Sequence, residues 1–203
     1  MPKPGLDLTP LPRAFYARPV LNVARACIGK LLVHRTSEGL VVGRIVETEA
    51  YRGPEDRAAH SFGGRRTART EVMFGPPGHA YVFFVYGMHY QFNVVTTREG
   101  DPHAVLIRAA EPLVGVELMA RRRQLPEGNR DLSNGPGKLC QAFAIGKAEY
   151  GADLCGSRLF LAQGPPSKIE ASARIGVQYA EDWAKKPWRF FDPKSRYVSR
   201  ARP

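Results

Sequence analysis

Cysteine is scarce in this sequence, and the spacings that build metal sites are missing. Its three cysteines, Cys27, Cys140 and Cys155, are too few and too scattered for a disulfide framework or a CxxC pair, which fits a reducing, cytoplasmic setting. The five histidines (His34, His60, His79, His89 and His103) contain no HExxH spacing. No His/Cys/Asp cluster offers a full metal shell either, so no metal is expected. The segment GPGK at 135–138 stops short of a P-loop, because the first glycine and the Ser/Thr after the lysine are missing. Nothing else asks for a cofactor, and none is expected. The opening residues MPKPGLDLTP lack an apolar signal core, and no run of about 18 apolar residues could span a bilayer, so no membrane partner is expected. Internal repeats, low-complexity tracts and linker-like breaks are also absent.

What is present is positive charge and turn residues. A formal charge of +11 points to a polyanionic partner, nucleic acid first. At 203 residues with 43% hydrophobic content, one domain spanning 1–203 with a real core is the natural expectation. Seventeen prolines and twenty glycines favour short elements and many turns over long helices.

The most informative stretch is 45–67, IVETEAYRGPEDRAAHSFGGRRT. β-Branched Ile45, Val46 and Thr48 among charges predict a strand, and period 2 puts Glu47, Glu49 and Tyr51 on one face. Gly53-Pro54 ends the strand, a short helical turn is expected over 55–59, and His60, Gly63-Gly64 and Arg65-Arg66 follow. Taken singly, such residues are ordinarily a solvated carboxylate, a packed ring and a structural histidine. Together they offer a carboxylate, rings and guanidinium groups able to hold a flat base, grip a phosphate and activate a water.

Along the rest of the chain, residues 1–12 read as a loose proline-rich arm, and 20–28 as a helix stopped by Gly29. Segments 31–35 and 40–49 read as an antiparallel hairpin. Two aromatic, β-branched runs within 81–96 flank Tyr86-Gly87-Met88, a hairpin tip that exposes large apolar groups and would suit a wedge between base steps. Segment 103–109 reads as a strand whose apolar run is broken by Arg108, an arginine that needs Glu47 or Glu49 as partner. A helix is expected over 111–124, and another to Ile145, capped by Ser133 or Asn134 and closed by Gly146. The start of that second helix, with Lys138, would suit a phosphate. Short elements are expected over 158–162 and 171–177, and WAKKPWRFF at 183–191 reads as C-terminal packing.

IVETEAYRGPEDRAAHS, GGRRT, YGMHYQFN, VLIRAAEPL, NGPGKLCQA and ARIGV…WAKKPWRF, in this order, resemble the alkyladenine (3-methyladenine) DNA glycosylases of the methylpurine type. The resemblance covers most of the chain. It implies an α+β fold: a single mixed domain around a curved, mostly antiparallel sheet with a protruding β-hairpin. It also implies a monofunctional enzyme, a monomer acting on double-stranded DNA with damaged purines, which flips out the nucleotide and removes 3-methyladenine- or hypoxanthine-type bases with an activated water. By this likeness Glu49 is the general base, and Arg108 and the carbonyl of Ile175 position the water. Tyr51, His60 and Phe83 sandwich the base, whose electron-poor ring is favoured by π faces. Asn93 discriminates against the guanine amino group, Tyr86 is the wedge, and Arg65 and Lys138 contact phosphates. Phe83 stands where the family usually has tyrosine, and His89 where some relatives carry it. Two alternatives rank below this one: a non-catalytic nucleic-acid-binding protein, and a helix-hairpin-helix repair enzyme built on GPGKLCQA. The charge provides a first test. DNA affinity should fall steeply with salt as counterions are released, and a salt-independent affinity would dismiss a phosphate-gripping surface.

Overall fold

One long strand organises the sheet. The computed structural model describes residues 6–199. Its first half contains α1 (Arg13–Tyr16), α2 (Val20–Cys27), β1 (Leu31–Thr36), β2 (Gly39–Tyr51), β3 (Ala80–Val85) and β4 (His89–Thr96). Then come β5 (His103–Val114), α3 (Val116–Arg123), α4 (Pro136–Phe143), β6 (Leu159–Ala162), β7 (Glu170–Ser172) and β8 (Arg189–Phe191). β2 pairs with β5 along one edge. On its other edge it pairs first with β1 and then, where β1 has ended, with β8. The resulting order is β3-β4-β5-β2-β1-β6, with β7 on β8 and every pair antiparallel. The sheet curls into a half-barrel with helices on one side, an α+β domain as the resemblance implied.

Packing explains the helical side. α2 buries Val20, Val23, Ala24 and Cys27, the i, i+3, i+4, i+7 stripe of an amphipathic helix. With Leu139 and Phe143 of α4 it covers Val41, Ile45, Ala50, Phe92, Val105 and Ile107 of the sheet. The other sheet face is left to the loop 52–79 and the C-terminal segment.

Two irregularities decide which side chains reach that other face. Between β2 and β5 the register slips by one residue at Val46 on β2 and by one in the opposite sense at Arg108 on β5. An inserted residue reverses the alternation beyond it. Val41 and Ile45 therefore share the helical face with Ala50, whereas Val46 packs on the other side with Ala109 and Tyr197. The reversal brings Glu47, Glu49 and Tyr51 to the face away from the helices.

Some sequence expectations are corrected. Residues 111–114 continue β5, with Glu111 paired to Arg44 by register and by a 2.6 Å ion pair. The helix begins only at Val116, after Gly115 turns the chain at φ 69°, where a Cβ would lie 2.4 Å from the Leu40 carbonyl oxygen. Sheet pairing overrides helical periodicity there. α4 stops at Phe143, with Ala144 left-handed, and its N-cap is Gly135 without a side-chain cap. Ser133 instead donates to the Ala110 carbonyl, and Asn134 is held between Asp131 and Lys138. The helical turn expected at 55–59 lies at Gly53–Glu55 as a 3₁₀ turn. Part of the expected N-terminal arm, residues 1–5, lies outside the described residues. From there on Leu11 is buried and Pro10 bridges to Ala162 of β6.

Glu47 fastens the C-terminal segment to the sheet. Fully buried, it accepts from Arg108 Nε (3.2 Å), Arg189 Nε (2.6 Å) and both the Ser199 N–H and hydroxyl (2.7 Å each). Removing one member of such a cluster strands the others in a dry site. Glu47→Ala should therefore lower unfolding free energy by about 3–5 kcal/mol in urea titrations. A loss under about 1 kcal/mol would mean that the cluster contributes little.

Candidate active site

The residues facing away from the helices line up in a row. By register Tyr81 of β3 lies opposite Asn93 of β4, Asn93 opposite Leu106 of β5, and Leu106 opposite Glu49 of β2. One step to one side of this row Phe83 faces Gln91, and one step to the other side Tyr51 faces Ala104. A cavity of about 290 Å³ opens over these positions. Leu106, Ala104 and Asn93 line it from the two middle strands, Tyr51 and Phe83 from the two outer ones. Three inter-strand steps separate β2 from β3, about 14 Å along a flat sheet, which leaves width for a flat ring between side chains. Loop residue His60 and the 175–179 stretch complete the lining, and Tyr86 stands at the edge.

Glu49 is fully buried and forms no part of the cavity surface. Its three donors do line the cavity. Tyr51 gives its hydroxyl proton to Oε2 (2.8 Å), Arg108 Nη1 donates to the same oxygen (3.3 Å), and the Ile175 N–H donates to Oε1 (2.8 Å). The Ile175 backbone thus engages Glu49 through its N–H, a contact separate from the water-positioning role expected of its carbonyl. Burial, and then the neighbouring Glu49 charge, push the Tyr51 phenol well above its ordinary value, so it stays a neutral donor. Oε1 has a single partner and keeps acceptor capacity. Glu47 takes four donors, three on Oε1 and one on Oε2, and of the residues that supply them only Arg108 lines the cavity.

The far wall is a hydrogen-bonded aromatic group. His60 meets Phe83 edge to face, with centroids 4.6 Å apart, and its Nδ1 lies 2.8 Å from the Tyr81 hydroxyl. Arg69 Nη2 approaches His60 Nε2 at 3.5 Å. An arginine only donates, so Nε2 is the acceptor and Nδ1 carries the proton. Burial first, and then Arg69 and Arg65, hold the His60 imidazole down at about 4, although its open edge faces the cavity. Asn93 is buried, and its NH₂ is fixed by the Tyr81 carbonyl at 3.1 Å.

Tyr86 sits at the β3–β4 turn with φ 55°, followed by Gly87 at φ 66°, the paired positive angles of a type I′ turn. It is 82% exposed, and Met88 beside it 67%. Arg65 lines a second, basic cleft of about 340 Å³ that shares His60 with the first cavity and also contains Arg57 and Arg69. Lys138 is less available than expected, since its ammonium is held by Asn134 Oδ1 (2.9 Å) and Asp131 (3.4 Å). Among the described residues no group of three or more His, Cys, Asp or Glu could hold a metal, and no helix is long and apolar enough to cross a membrane.

Residues 14–196 match the family described as Methylpurine-DNA glycosylase (MPG). The chain belongs to the methylpurine-DNA glycosylase family. Curated relatives agree along nearly their whole length. A protein of Desulfitobacterium hafniense is 54% identical over 198 residues, covering 93% of this chain and 98% of that protein. One of Methanocella arvoryzae is 51% identical (95% and 97% covered), and one of Clostridium acetobutylicum 44% (92% and 96%). All three carry the name "Putative 3-methyladenine DNA glycosylase".

Within this family of DNA-repair glycosylases, the fold adds residues that sequence reasoning passed over. Asp56 and Arg174 form a completely buried ion pair. Arg174 also donates to the carbonyls of Ala50 (2.9 Å) and Trp183 (3.1 Å) and lies over the Tyr51 ring. The pair ties the loop bearing His60 to the segment bearing Ile175. Arg174 and Arg189 could have been found by the rule that singled out Arg108, an arginine set in an apolar or aromatic run. Asp56 offered no such signal. The histidine carries a test. An NMR titration of His60 should show a midpoint near 4, and a midpoint near the ordinary 6.5 would deny the neutral, Arg69-facing imidazole.

Proposed function

We propose that this chain is a monofunctional glycosylase, a cytoplasmic monomer that extrudes alkylated or deaminated purines of the 3-methyladenine and hypoxanthine type from double-stranded DNA and cleaves their N-glycosyl bond with water. The observation that carries this proposal is Glu49: a buried carboxylate held from three sides by groups that line a base-sized aromatic cavity, with acceptor capacity left on Oε1. Family membership supplies the DNA substrate.

Tyr86 is the wedge that fills the gap left by the extruded nucleotide, because an exposed ring on a rigid turn can enter a base stack without refolding. Tyr51, His60 and Phe83 enclose the base, with Asn93 at the floor to exclude the guanine amino group. Arg65 grips the backbone on the basic side, while Lys138 must exchange Asp131 for a phosphate to do so. As the glycosyl bond stretches, C1′ takes on oxocarbenium character, and the Glu49 charge stabilises it. A water between Arg108 and Ile175 attacks C1′ and gives its proton to Glu49. The bond electrons leave with the purine. An alkylated, cationic base departs neutral, whereas hypoxanthine departs with negative charge. Direct water attack is supported by the absence of lysine from the cavity lining among the described residues.

Glu49→Gln keeps the shape but removes base and charge. Single-turnover excision of hypoxanthine or 3-methyladenine should fall by at least about 10²–10⁴-fold while binding of the same duplex persists. Near-wild-type excision by Glu49→Gln would reject the assignment, and wild-type protein that binds but never excises would favour the non-catalytic alternative.

A further inference from the structure

Both aromatic walls of the cavity have a guanidinium against a ring face. Arg69 lies 4.7 Å from the centroid of Phe83, and Arg174 lies 4.8 Å from that of Tyr51. Neither arginine lines the cavity, so each approaches its ring from outside. The two are not equivalent. Arg174 is matched by Asp56 in a pair with no exposed side chain. Likewise Arg108 and Arg189 are set against Glu47 and Glu49. Arg69 is exposed and, among the described residues, has no carboxylate within ion-pair distance. It is an uncompensated positive charge directly behind a stacking ring.

We infer that Arg69 is a specificity-determining residue: its charge behind Phe83 sets the cavity against cationic purines and in favour of neutral ones that depart with negative charge. This rests on the glycosylase function proposed above. An aromatic ring attracts a cation through the negative potential of its faces. A guanidinium on the outer face of Phe83 opposes that potential, so the attraction for an electron-poor base expected from the bare rings is weakened at this wall. The same field acts on the bond-breaking step. For a neutral lesion the leaving purine becomes negative, and a nearby fixed cation stabilises it. For a cationic lesion the cation instead opposes entry of the base. His60 already reports this field, since Arg69 and Arg65 add to burial in disfavouring a protonated ring at the same wall.

The test is internal competition between duplexes containing hypoxanthine and 7-methylguanine, which reads the ratio of their kcat/KM values. Any general weakening of DNA grip cancels in that ratio. With a base stacked about 3.5 Å beyond Phe83, a unit charge about 8 Å away at the protein surface corresponds to about two- to tenfold. Arg69→Met should shift the ratio by that factor toward 7-methylguanine, while Arg69→Lys, which retains the charge, should stay near wild type. The His60 midpoint should rise in Arg69→Met, a readout independent of turnover. An unchanged ratio with both bases still released, or an equal shift in the lysine variant, would overturn the role of Arg69 and leave the glycosylase proposal standing. Wild-type protein that releases neither base would overturn both.

Discussion

Arg108, held between Glu47 and Glu49, is the contact on which the rest of the site depends. Two carboxylates two residues apart on a dry sheet face would repel each other and lose hydration, which is tolerable only where donors are complete. The chain meets that demand from several segments: β5 brings Arg108, β8 brings Arg189, the β7–β8 connection brings the Ile175 N–H, the residues after β8 bring Ser199, and β2 itself adds the Tyr51 hydroxyl. The two carboxylates differ in where their donors lie. Glu47 is held by Arg108, Arg189 and Ser199, of which only Arg108 lines the cavity, whereas all three donors to Glu49 line it. Residues of nearly identical sequence context are thereby set in different surroundings.

The compensating bulges at Val46 and Arg108 are what make this possible. Regular alternation would have continued the helical face through Ile45 to Glu47, which would have driven a carboxylate into the apolar core. One inserted residue on β2 turns Glu47, Glu49 and Tyr51 outward. The insertion on β5 restores the pairing and aims Arg108 at both carboxylates. Bulges of this kind sharpen local twist and re-aim side chains, and here they do so at the centre of the sheet.

Charge in this protein is arranged in two ways. Inside, Arg108, Arg174 and Arg189 are matched to Glu47, Glu49 and Asp56, so the buried site is close to balanced and its shape is fixed. Around the cavity rim, Arg65 and Arg69 stand exposed in a basic cleft. The formal charge of +11 is therefore a poor guide to which cations can meet a phosphate. Lys138, the cation that the helix start seemed to present, is engaged by Asp131.

The sequence by itself determined the class of partner, the strand carrying Glu49 and Tyr51, the exposed hairpin tip at Tyr86, and the need of Arg108 for an acidic neighbour. These are local matters of charge, period-2 spacing and the cost of exposing or burying a side chain. It misjudged 111–114 and the ends of α4, where pairing with β2 and backbone turns at Gly115 and Gly135 outweigh helical spacing. Only the tertiary structure decided which of two carboxylates has its donors around the cavity, that the Ile175 N–H meets Glu49, that Asp56 holds Arg174, and that Arg69 lies behind Phe83. Each of these joins segments far apart in the chain through a register slip or a loop crossing. Spacing along a sequence contains no measure of that distance.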